Sequence, residues 1–295
     1  MSIETDLKVI AKEIDAFLDL SIEVPIALEA VLFESMRYSI LGGGKRLRPY
    51  LVVACADMFR VKRDSSIRVA AAVEMVHAYS LVHDDLPCMD DDDLRRGRAT
   101  THIRFDEPTA VLTGDALLTQ AFGIIANPKT HKNAEIRAEL ICALSHAVGA
   151  KGMCGGQMMD LLAKSRLLGE SDITRLQTMK TGALLAFCCQ AGAILGCAGE
   201  KDRQSLKRYT DDIGLSFQIV DDLLDIEGSE EMVGKRVGKD TASGKATFVS
   251  VLGLAGARKR SQLLTERAIA EVRGQFGNQG QALEAVASFI VSRSW

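Results

Sequence analysis

Along most of the chain, apolar side chains recur at helical spacing, and the strict alternation that predicts strands is scarce. Ala, Leu and Met fill many of the apolar positions, which favours helix over strand. The segments that show this pattern are residues 66–86, 109–126, 133–162, 172–198 and 203–226. The pattern therefore predicts an all-α protein.

The prolines and the composition indicate how these helices are organised. All five prolines fall in the first half of the 295 residues, at Pro25, Pro49, Pro87, Pro108 and Pro128. Because proline interrupts helices, residues 129–295 are free to form long ones. With 47% hydrophobic residues, the chain can bury a large core, and no linker or repeat divides it. We therefore predict one domain that spans residues 1–295.

Two acidic clusters interrupt the apolar pattern at widely separated points. The first comprises Asp84, Asp85 and Asp90, and the second comprises Asp221, Asp222 and Asp225. Carboxylates this close raise one another's pKa unless a cation lies among them. Mg²⁺ suits such a site because it binds a few carboxylates together with water and substrate phosphates. Residues 91–93, which extend the first cluster, fit a solvated acidic turn equally well.

Helical geometry constrains how each cluster can bind a metal. Asp221 and Asp225 are one turn apart and lie on one helix face. On an unbroken helix, Asp84 and Asp90 would point about 240° apart. Pro87 disfavours regular helix at this point, so an interruption there can bring Asp90 back beside Asp84.

Basic residues lie close to the acidic ones in sequence. Lys45, Arg46 and Arg48 follow a run of glycines, and Arg95 and Arg96 follow the first acidic cluster. Arginine binds phosphate oxygens in pairs and lysine adds a point charge, so acid, metal and base together predict a diphosphate site. Two simpler interpretations stay open: the glycines only end a helix, and the two arginines only neutralise the neighbouring aspartates.

In their order along the chain, these motifs resemble those of the trans-isoprenyl diphosphate synthases. The resemblance is carried by the two acidic motifs, Gly-Gly-Lys-Arg-Leu-Arg-Pro at 43–49, Gly-Gly-Gln at 155–157 with Asp160, Lys-Thr-Gly at 180–182, Phe-Gln at 217–218 and Gly-Lys at 244–245. The longer form of the first acidic motif is similar to that of bacterial farnesyl diphosphate synthases and of plant and bacterial geranylgeranyl diphosphate synthases.

The resemblance implies a helical bundle with its cavity between the two aspartate helices, and a role for each motif. Three Mg²⁺ ions would be held on an allylic diphosphate by Asp84, Asp90 and Asp221, with Asp85, Asp222 and Asp225 in or near their coordination shell. The same diphosphate would be neutralised by Arg95, Lys180 and Lys235. Isopentenyl diphosphate would be held by Lys45, Arg48, His77 and Arg96. The carbocation and the leaving group would be bordered by the catalytic set Lys180, Thr181, Gln218 and Lys245. The nearby cavity wall would include Gln157 and Asp160.

This combination of groups suits ionisation of an allylic diphosphate better than nucleophilic catalysis. Metal and cations draw charge onto the departing diphosphate, and the isopentenyl double bond attacks the allylic cation before a proton is lost. No protein base is evident for the last step, so the released diphosphate is the expected acceptor. His77 and His83, near the first acidic motif, also fit the alternative of satisfied core histidines.

The length of the product depends on what blocks the growing hydrocarbon below the first acidic motif. Tyr79, followed by Ser80, lies five residues before Asp84, which is roughly 7 Å deeper along a helix. In the family that the chain resembles, an aromatic residue there accompanies C15 products and smaller residues accompany C20 products. We expect farnesyl diphosphate, and geranylgeranyl diphosphate is the alternative if Tyr79 packs elsewhere.

Two other functions fit the motifs less well. A non-catalytic subunit that binds a partner synthase has no physical need for mutually repelling aspartates in both clusters. A terpene cyclase would ionise a diphosphate in the same way. It has no use for a second diphosphate site, however, so Lys45, Arg48 and Arg96 count against it.

Charge, cysteines and hydropathy bear on partners and location. The net charge of −3 and the lack of a basic stripe interleaved with aromatics argue against a nucleic-acid partner. The seven cysteines lack Cys-x-x-Cys spacing, as expected of reduced cytosolic thiols. The apolar run at 182–199 predicts a buried helix, and the chain opens without a signal-peptide pattern. We expect a cytoplasmic protein without an integral membrane segment and, from the resemblance, a homodimer. Cys88 and the C-terminal Arg293 and Trp295 receive no assigned role.

Overall fold

A computed structural model describes residues 2–163, 168–227 and 247–292, and most of them are helical. The helices are α1 (Ile3–Ser21), α2 (Ala30–Ile40), α3 (Leu47–Met58), α4 (Arg63–Asp84), α5 (Thr101–Arg104), α6 (Glu107–Ala126), α7 (Ala134–Val148), α8 (Met153–Ala163), α9 (Glu170–Gln177), α10 (Ala183–Leu195), α11 (Glu200–Glu227), α12 (Phe248–Phe276) and α13 (Gln281–Ser292). A π-helical segment, Thr178–Gly182, joins α9 to α10, and a 3₁₀ segment, Gly277–Gly280, joins α12 to α13. Two short strands, β1 (Leu94–Arg95) and β2 (Arg98–Ala99), form an antiparallel hairpin. The prediction of an all-α fold is confirmed.

The helix that ends in the first acidic motif, α4, lies within the larger hydrophobic core. It contacts α1, α2, α3, α6 and α10, and its residues 69–76 are all buried. A helix buried on every side needs no polar face, which is why its sequence lacks a clear amphipathic stripe. The helix that carries the second acidic motif, α11, packs mainly against α12.

Two of the predicted helices are interrupted in the structure. The segment at 133–162 forms α7 and α8, which are separated by residues 149–152. Gly149 and Gly152 occupy this break, and glycine is a poor helix former. The segment at 172–198 is interrupted by the π-helical segment between α9 and α10. The predictions for 109–126 and 203–226 are confirmed to within three residues at each end.

The buried helix predicted at 182–199 is confirmed by α10. Leu184, Leu185, Phe187 and Ile194 are each at most 3% exposed. By length and composition alone, two stretches of the described chain could cross a membrane, Glu107–Ala126 and Glu170–Leu195. In the most apolar windows of these stretches, 39% and 61% of the residues, respectively, are buried inside the protein.

A buried ion-pair network fixes the loop before α3 to the middle of α4. The guanidinium group of Arg46 is 2.5 Å from Glu74 and 2.6 Å from Asp15, and it also donates to the carbonyl oxygen of Ile40. Arg46 is 4% exposed and its φ of 50° lies in the left-handed region. Of the three cations in the basic motif, Arg46 therefore has a structural role, because its partners belong to the protein itself. It positions the neighbouring Lys45 and Arg48.

Replacing Glu74 with glutamine is expected to lower the free energy of unfolding by about 2–3 kcal/mol, because the buried Arg46 loses one of its two countercharges. The matched control is Glu13→Gln, since the Glu13 pair with Arg63 has both side chains 38% exposed. That change should cost less than about 1 kcal/mol. Urea unfolding of both variants measures the difference. Equal losses would show that the buried pair has no special structural role.

Candidate functional site

The chain turns sharply after α4, and this turn folds the first acidic motif back on itself. The helix ends at Asp84, ahead of Pro87, and the backbone N–H of Asp90 donates to the Asp84 carbonyl oxygen at 2.9 Å. The return of Asp90 predicted from sequence is thus observed in the backbone. Burial raises the pKa of the Asp84 carboxyl to about 6, and the charge of Asp90 adds to this effect. Lys180 and Arg95 are close enough to act in the opposite direction.

Part of this turn faces solvent. Asp91 and Asp93 are exposed, as a solvated acidic turn requires, whereas Asp92 is half-buried. The thiol of Cys88, within the motif, is exposed as well.

The β1–β2 hairpin that follows carries the arginines of the predicted diphosphate site. Its two-residue turn is Arg96–Gly97, and both residues have positive φ, as such tight hairpins require. Arg95 donates through two nitrogens to the Asp85 carboxylate, at 2.5 and 2.8 Å. Arg96 instead donates to the carbonyl oxygen of Gly43. Arg95 therefore does pair with a neighbouring aspartate, whereas Arg96 does not.

A cationic cavity lies between the end of α2, the last turns of α4 and the hairpin. Its charged and imidazole-bearing lining residues are Arg46, Glu74, His77, Asp85, Arg95, Arg96 and Arg98. Burial and four nearby arginines lower the pKa of His77, so its imidazole is neutral at pH 7. Arg48 approaches His77 at 3.4 Å, and within the described chain the buried Nε of Arg48 has no hydrogen-bond partner.

One cation of this cavity, Arg98, is absent from the set predicted from sequence. Its guanidinium group stacks over the ring of Tyr38 at 4.2 Å, and the Tyr38 hydroxyl donates to the carbonyl oxygen of Ala99 at 2.7 Å. The sequence did contain a signal for Arg98, because a two-residue turn at 96–97 places Arg98 opposite Arg95 across the hairpin.

Lys45, which was predicted, is exposed, and its Nζ lies 5.9 Å from the ring centre of Phe289 in α13.

The π-helical segment holds the next pair of predicted residues. Lys180 Nζ donates to the Asp160 carboxylate at 2.5 Å, and the Thr181 hydroxyl donates to the side-chain oxygen of Gln218 at 3.4 Å. Lys180 therefore lies in a π-helical segment that interrupts the helix predicted at 172–198. Single π-helical turns often occur at functional sites. Gln157 lies one turn before Asp160 on α8.

Gly156 allows α8 to approach the backbone of this segment. A Cβ atom at Gly156 would lie 2.2 Å from the Lys180 backbone nitrogen and 2.6 Å from its Cα. We expect Gly156→Ala to lower the free energy of unfolding by about 1–3 kcal/mol, because a backbone cannot yield as a side chain can. Gly123→Ala on α6 is the matched control, since a Cβ there meets nothing within 4 Å. Calorimetric unfolding of both proteins tests this, and an unaffected Gly156→Ala protein would contradict the close approach.

The second acidic motif lies near the C-terminal end of α11. Asp222 accepts hydrogen bonds from the Gln218 side chain at 3.0 Å and from the backbone N–H of Phe248, the first residue of α12, at 2.8 Å. Asp222 therefore fixes α11 to the start of α12. Asp221 is half-buried and Asp225 is buried, and they lie one turn apart as predicted.

Contacts through the π-helical segment connect the two acidic motifs. The charge of Lys180 acts to lower the pKa of Asp84 in the first motif. The adjacent Thr181 hydrogen-bonds to Gln218, which in turn hydrogen-bonds to Asp222 in the second motif. Residues far apart in sequence thus border one site. The predicted residues Lys235 and Lys245 lie outside the described residues, as do Arg293 and Trp295.

The chemistry of this donor set fits Mg²⁺. Within the described ranges, no three acidic, histidine or cysteine side chains converge closely enough to bind an ion by themselves. Mg²⁺ is usually bound by one or two carboxylates, with water and substrate phosphates completing its shell. The raised pKa of Asp84 reflects burial and repulsion that a cation would relieve. The acidic residues therefore suit an ion that is shared with a phosphorylated substrate.

The residues predicted to limit chain length lie one to two turns before Asp84. Tyr79 is 7% exposed and meets the ring of His83 edge-on, with 5.8 Å between ring centres. His83 pairs through Nε2 with the carbonyl oxygen of Val111 at 3.0 Å, which matches the interpretation of His83 as a satisfied structural histidine. The Ser80 hydroxyl donates to the carbonyl oxygen of His77 at 2.9 Å.

Comparisons with known proteins agree with this site. Residues 29–286 match the polyprenyl synthetase family model. The chain is 49% identical over 230 residues to the farnesyl diphosphate synthase of Bacillus subtilis, covering 78% of each protein. It is 42% identical over 277 residues to a geranylgeranyl diphosphate synthase of Cyanophora paradoxa, covering 92% of this chain and 90% of that protein.

A solved structure gives the same result at the level of the fold. An apo FPP/GFPP synthase from Zymomonas mobilis is 46% identical and matches with a TM-score of 0.90, covering 98% of this chain and 99% of that one. The extent of these matches, together with the site geometry, assigns the chain to the polyprenyl synthetase family.

Proposed function

We propose that this protein is a Mg²⁺-dependent prenyltransferase that condenses isopentenyl diphosphate with dimethylallyl or geranyl diphosphate to give farnesyl diphosphate. The observation that carries the proposal is that two groups of charged side chains lie next to each other at the end of α4, and we assign one diphosphate to each. One is bordered by the acidic motifs and Lys180, and the other is lined by arginines and His77. A condensation of two diphosphate substrates requires both.

The chain's own residues would prepare the allylic diphosphate to leave. Bound Mg²⁺ would draw negative charge onto this diphosphate as the carbon–oxygen bond breaks. Lys180 is held by Asp160 and Arg95 is held by Asp85, so both positive charges are positioned before the substrate arrives. Such preorganised charge stabilises a transition state without the cost of reorienting solvent.

The second site would hold the isopentenyl substrate. Arg48 and Arg96 are expected to bind its diphosphate, with neutral His77 beside them. The oxygens of Thr181 and Gln218 would border the allylic cation while the double bond attacks it. The proposal assigns the departing proton to the released diphosphate, a base that the reaction itself supplies.

A C15 product is supported by the burial of Tyr79 and by the farnesyl diphosphate synthases among the relatives. A C20 product is the second candidate, because a geranylgeranyl diphosphate synthase is 42% identical over most of the chain. The two candidates share the chemistry and differ only in where chain growth stops.

The proposal extends to three Mg²⁺ ions per site, one domain over residues 1–295 and a cytoplasmic homodimer without an integral membrane segment or nucleic-acid partner. Apolar surface on α6 supports the dimer. Val111 and Leu112 are 41% and 55% exposed on this helix, and a second copy of the chain would cover them.

Product analysis tests the proposed function. The purified protein is incubated with labelled isopentenyl diphosphate and with dimethylallyl, geranyl or farnesyl diphosphate, in Mg²⁺ or in EDTA. We expect a C15 product from dimethylallyl and geranyl diphosphate when Mg²⁺ is present and no product in EDTA. Farnesyl diphosphate should be extended little. A C20 product would support the condensation reaction but contradict the proposal that Tyr79 ends chain growth at C15. No condensation with any primer would overturn the function and favour the non-catalytic subunit.

A further inference from the structure

Side chains from two helices meet below the first acidic motif. The hydroxyl oxygen of Tyr79 on α4 lies 3.6 Å from the Sγ atom of Cys154 on α8. The helix α8 packs mainly on the π-helical segment, so side chains rather than extensive backbone packing connect it to α4. The Tyr79–Cys154 contact is one of these connections.

The two contacting residues lie at a similar depth in the site. Asp84 follows Tyr79 by five residues, and Asp160, which binds Lys180, follows Cys154 by six. At 1.5 Å per helical residue, these separations are about 7.5 and 9 Å. Both α4 and α8 therefore run towards the acidic end of the site. Their contact lies where the tail of a growing hydrocarbon would arrive.

The ring of Tyr79 has a different support on its other side. His83 meets it edge-on and is anchored in turn to the carbonyl oxygen of Val111 on α6. Burial raises the pKa of Tyr79, and the contact with Cys154 adds to this effect, so the phenol stays protonated at neutral pH. Cys154 itself is exposed, so its side chain can be changed without opening the hydrophobic core.

We infer that Cys154 is a specificity-determining residue that sets, through its contact with Tyr79, the length at which chain growth stops. The inference rests on the proposed function. A smaller side chain at 154 removes the support at the tip of the phenol and leaves space beside it, which favours longer products. A larger side chain at 154 fills the same space from α8 and favours shorter products.

The test measures product distributions of the full-length protein and its variants with dimethylallyl diphosphate, isopentenyl diphosphate and Mg²⁺. Cys154→Ala is expected to raise the C20 to C15 ratio roughly three- to tenfold, the range that loss of one hydrogen bond allows. Cys154→Phe should shift the distribution towards C10. Cys142→Ala, at another exposed cysteine, is the matched control and should leave the distribution unchanged.

A double-mutant cycle separates the contact from a general loosening of the fold. Tyr79→Phe keeps the ring and removes the hydroxyl group, so Cys154→Ala should have little further effect in that background. The role of Cys154 would be overturned, with the proposed function intact, by either of two results. One is an unchanged product ratio in Cys154→Ala, and the other is an equal effect of Cys154→Ala with and without the Tyr79 hydroxyl. Absence of any condensation product from the wild-type protein would overturn the proposed function and the inference together.

Discussion

Replacing Asp84 with asparagine is expected to lower kcat/KM for condensation by about a hundred- to a thousandfold, the usual loss when one preorganised charge-stabilising group is removed. Asp84 ends α4, and burial together with the charge of Asp90 raises its pKa to about 6. The neutral amide has nearly the same shape but cannot supply the negative charge that Mg²⁺ requires. Steady-state rates measured over a series of Mg²⁺ concentrations test this prediction.

Asp93→Asn makes the same chemical change at the exposed end of the same acidic turn. It should alter kcat/KM by less than about twofold, as is usual for surface substitutions. If both variants lost activity equally, net charge rather than a specific metal ligand would explain the first result. If neither lost activity, the metal site at Asp84 would be contradicted.

Lys180→Met is expected to lower kcat by about a hundredfold or more, because the positive charge near Asp84 then no longer assists ionisation. Lys180 is held in the π-helical segment by its 2.5 Å ion pair with Asp160. Methionine keeps most of the side-chain volume and removes the charge. Since charge on the leaving group develops in the transition state, kcat should fall more than KM rises.

The matched control for this variant is Lys207→Met. Lys207 pairs with Asp211 one turn away on α11, and its side chain is 67% exposed. Rates with geranyl diphosphate should be nearly unchanged in the control. An effect of Lys180→Met that is confined to KM would mean that Lys180 binds the substrate without assisting its ionisation.

The features that the sequence predicts well are those determined by neighbouring residues. Helical periodicity predicted the ends of α6 and α11 to within three residues. Pro87 correctly predicted the turn that returns Asp90 to Asp84. In each case the decisive interactions lie within a few residues of chain, where spacing and backbone preferences determine the outcome.

The features that sequence reasoning missed depend on contacts between distant residues. The sequence suggests that Arg46 is one more phosphate ligand. In the structure it pairs with Glu74, which is 28 residues away. The contact between Tyr79 and Cys154 joins residues 75 apart. Periodicity cannot show which helices become neighbours.

The interruption of the helix at Lys180 was missed for a different reason. Apolar residues keep helical spacing on both sides of the π-helical turn, so the pattern alone predicts one continuous helix at 172–198. The close approach of Gly156, which would place a Cβ 2.2 Å from the Lys180 nitrogen, is visible only once α8 is positioned. The role of Lys180 was therefore predicted from motif resemblance, whereas its geometry required the structure.

The central claim is that two acidic motifs far apart in sequence form one metal–diphosphate site. Calorimetric titration of the protein with inorganic diphosphate, in Mg²⁺ and in EDTA, tests it most directly when wild type, Asp84→Asn and Asp221→Asn are compared. We predict binding by the wild type in Mg²⁺ only, and a strong loss of affinity in each variant. Binding that needs no Mg²⁺, or that survives either substitution unchanged, would contradict the claim.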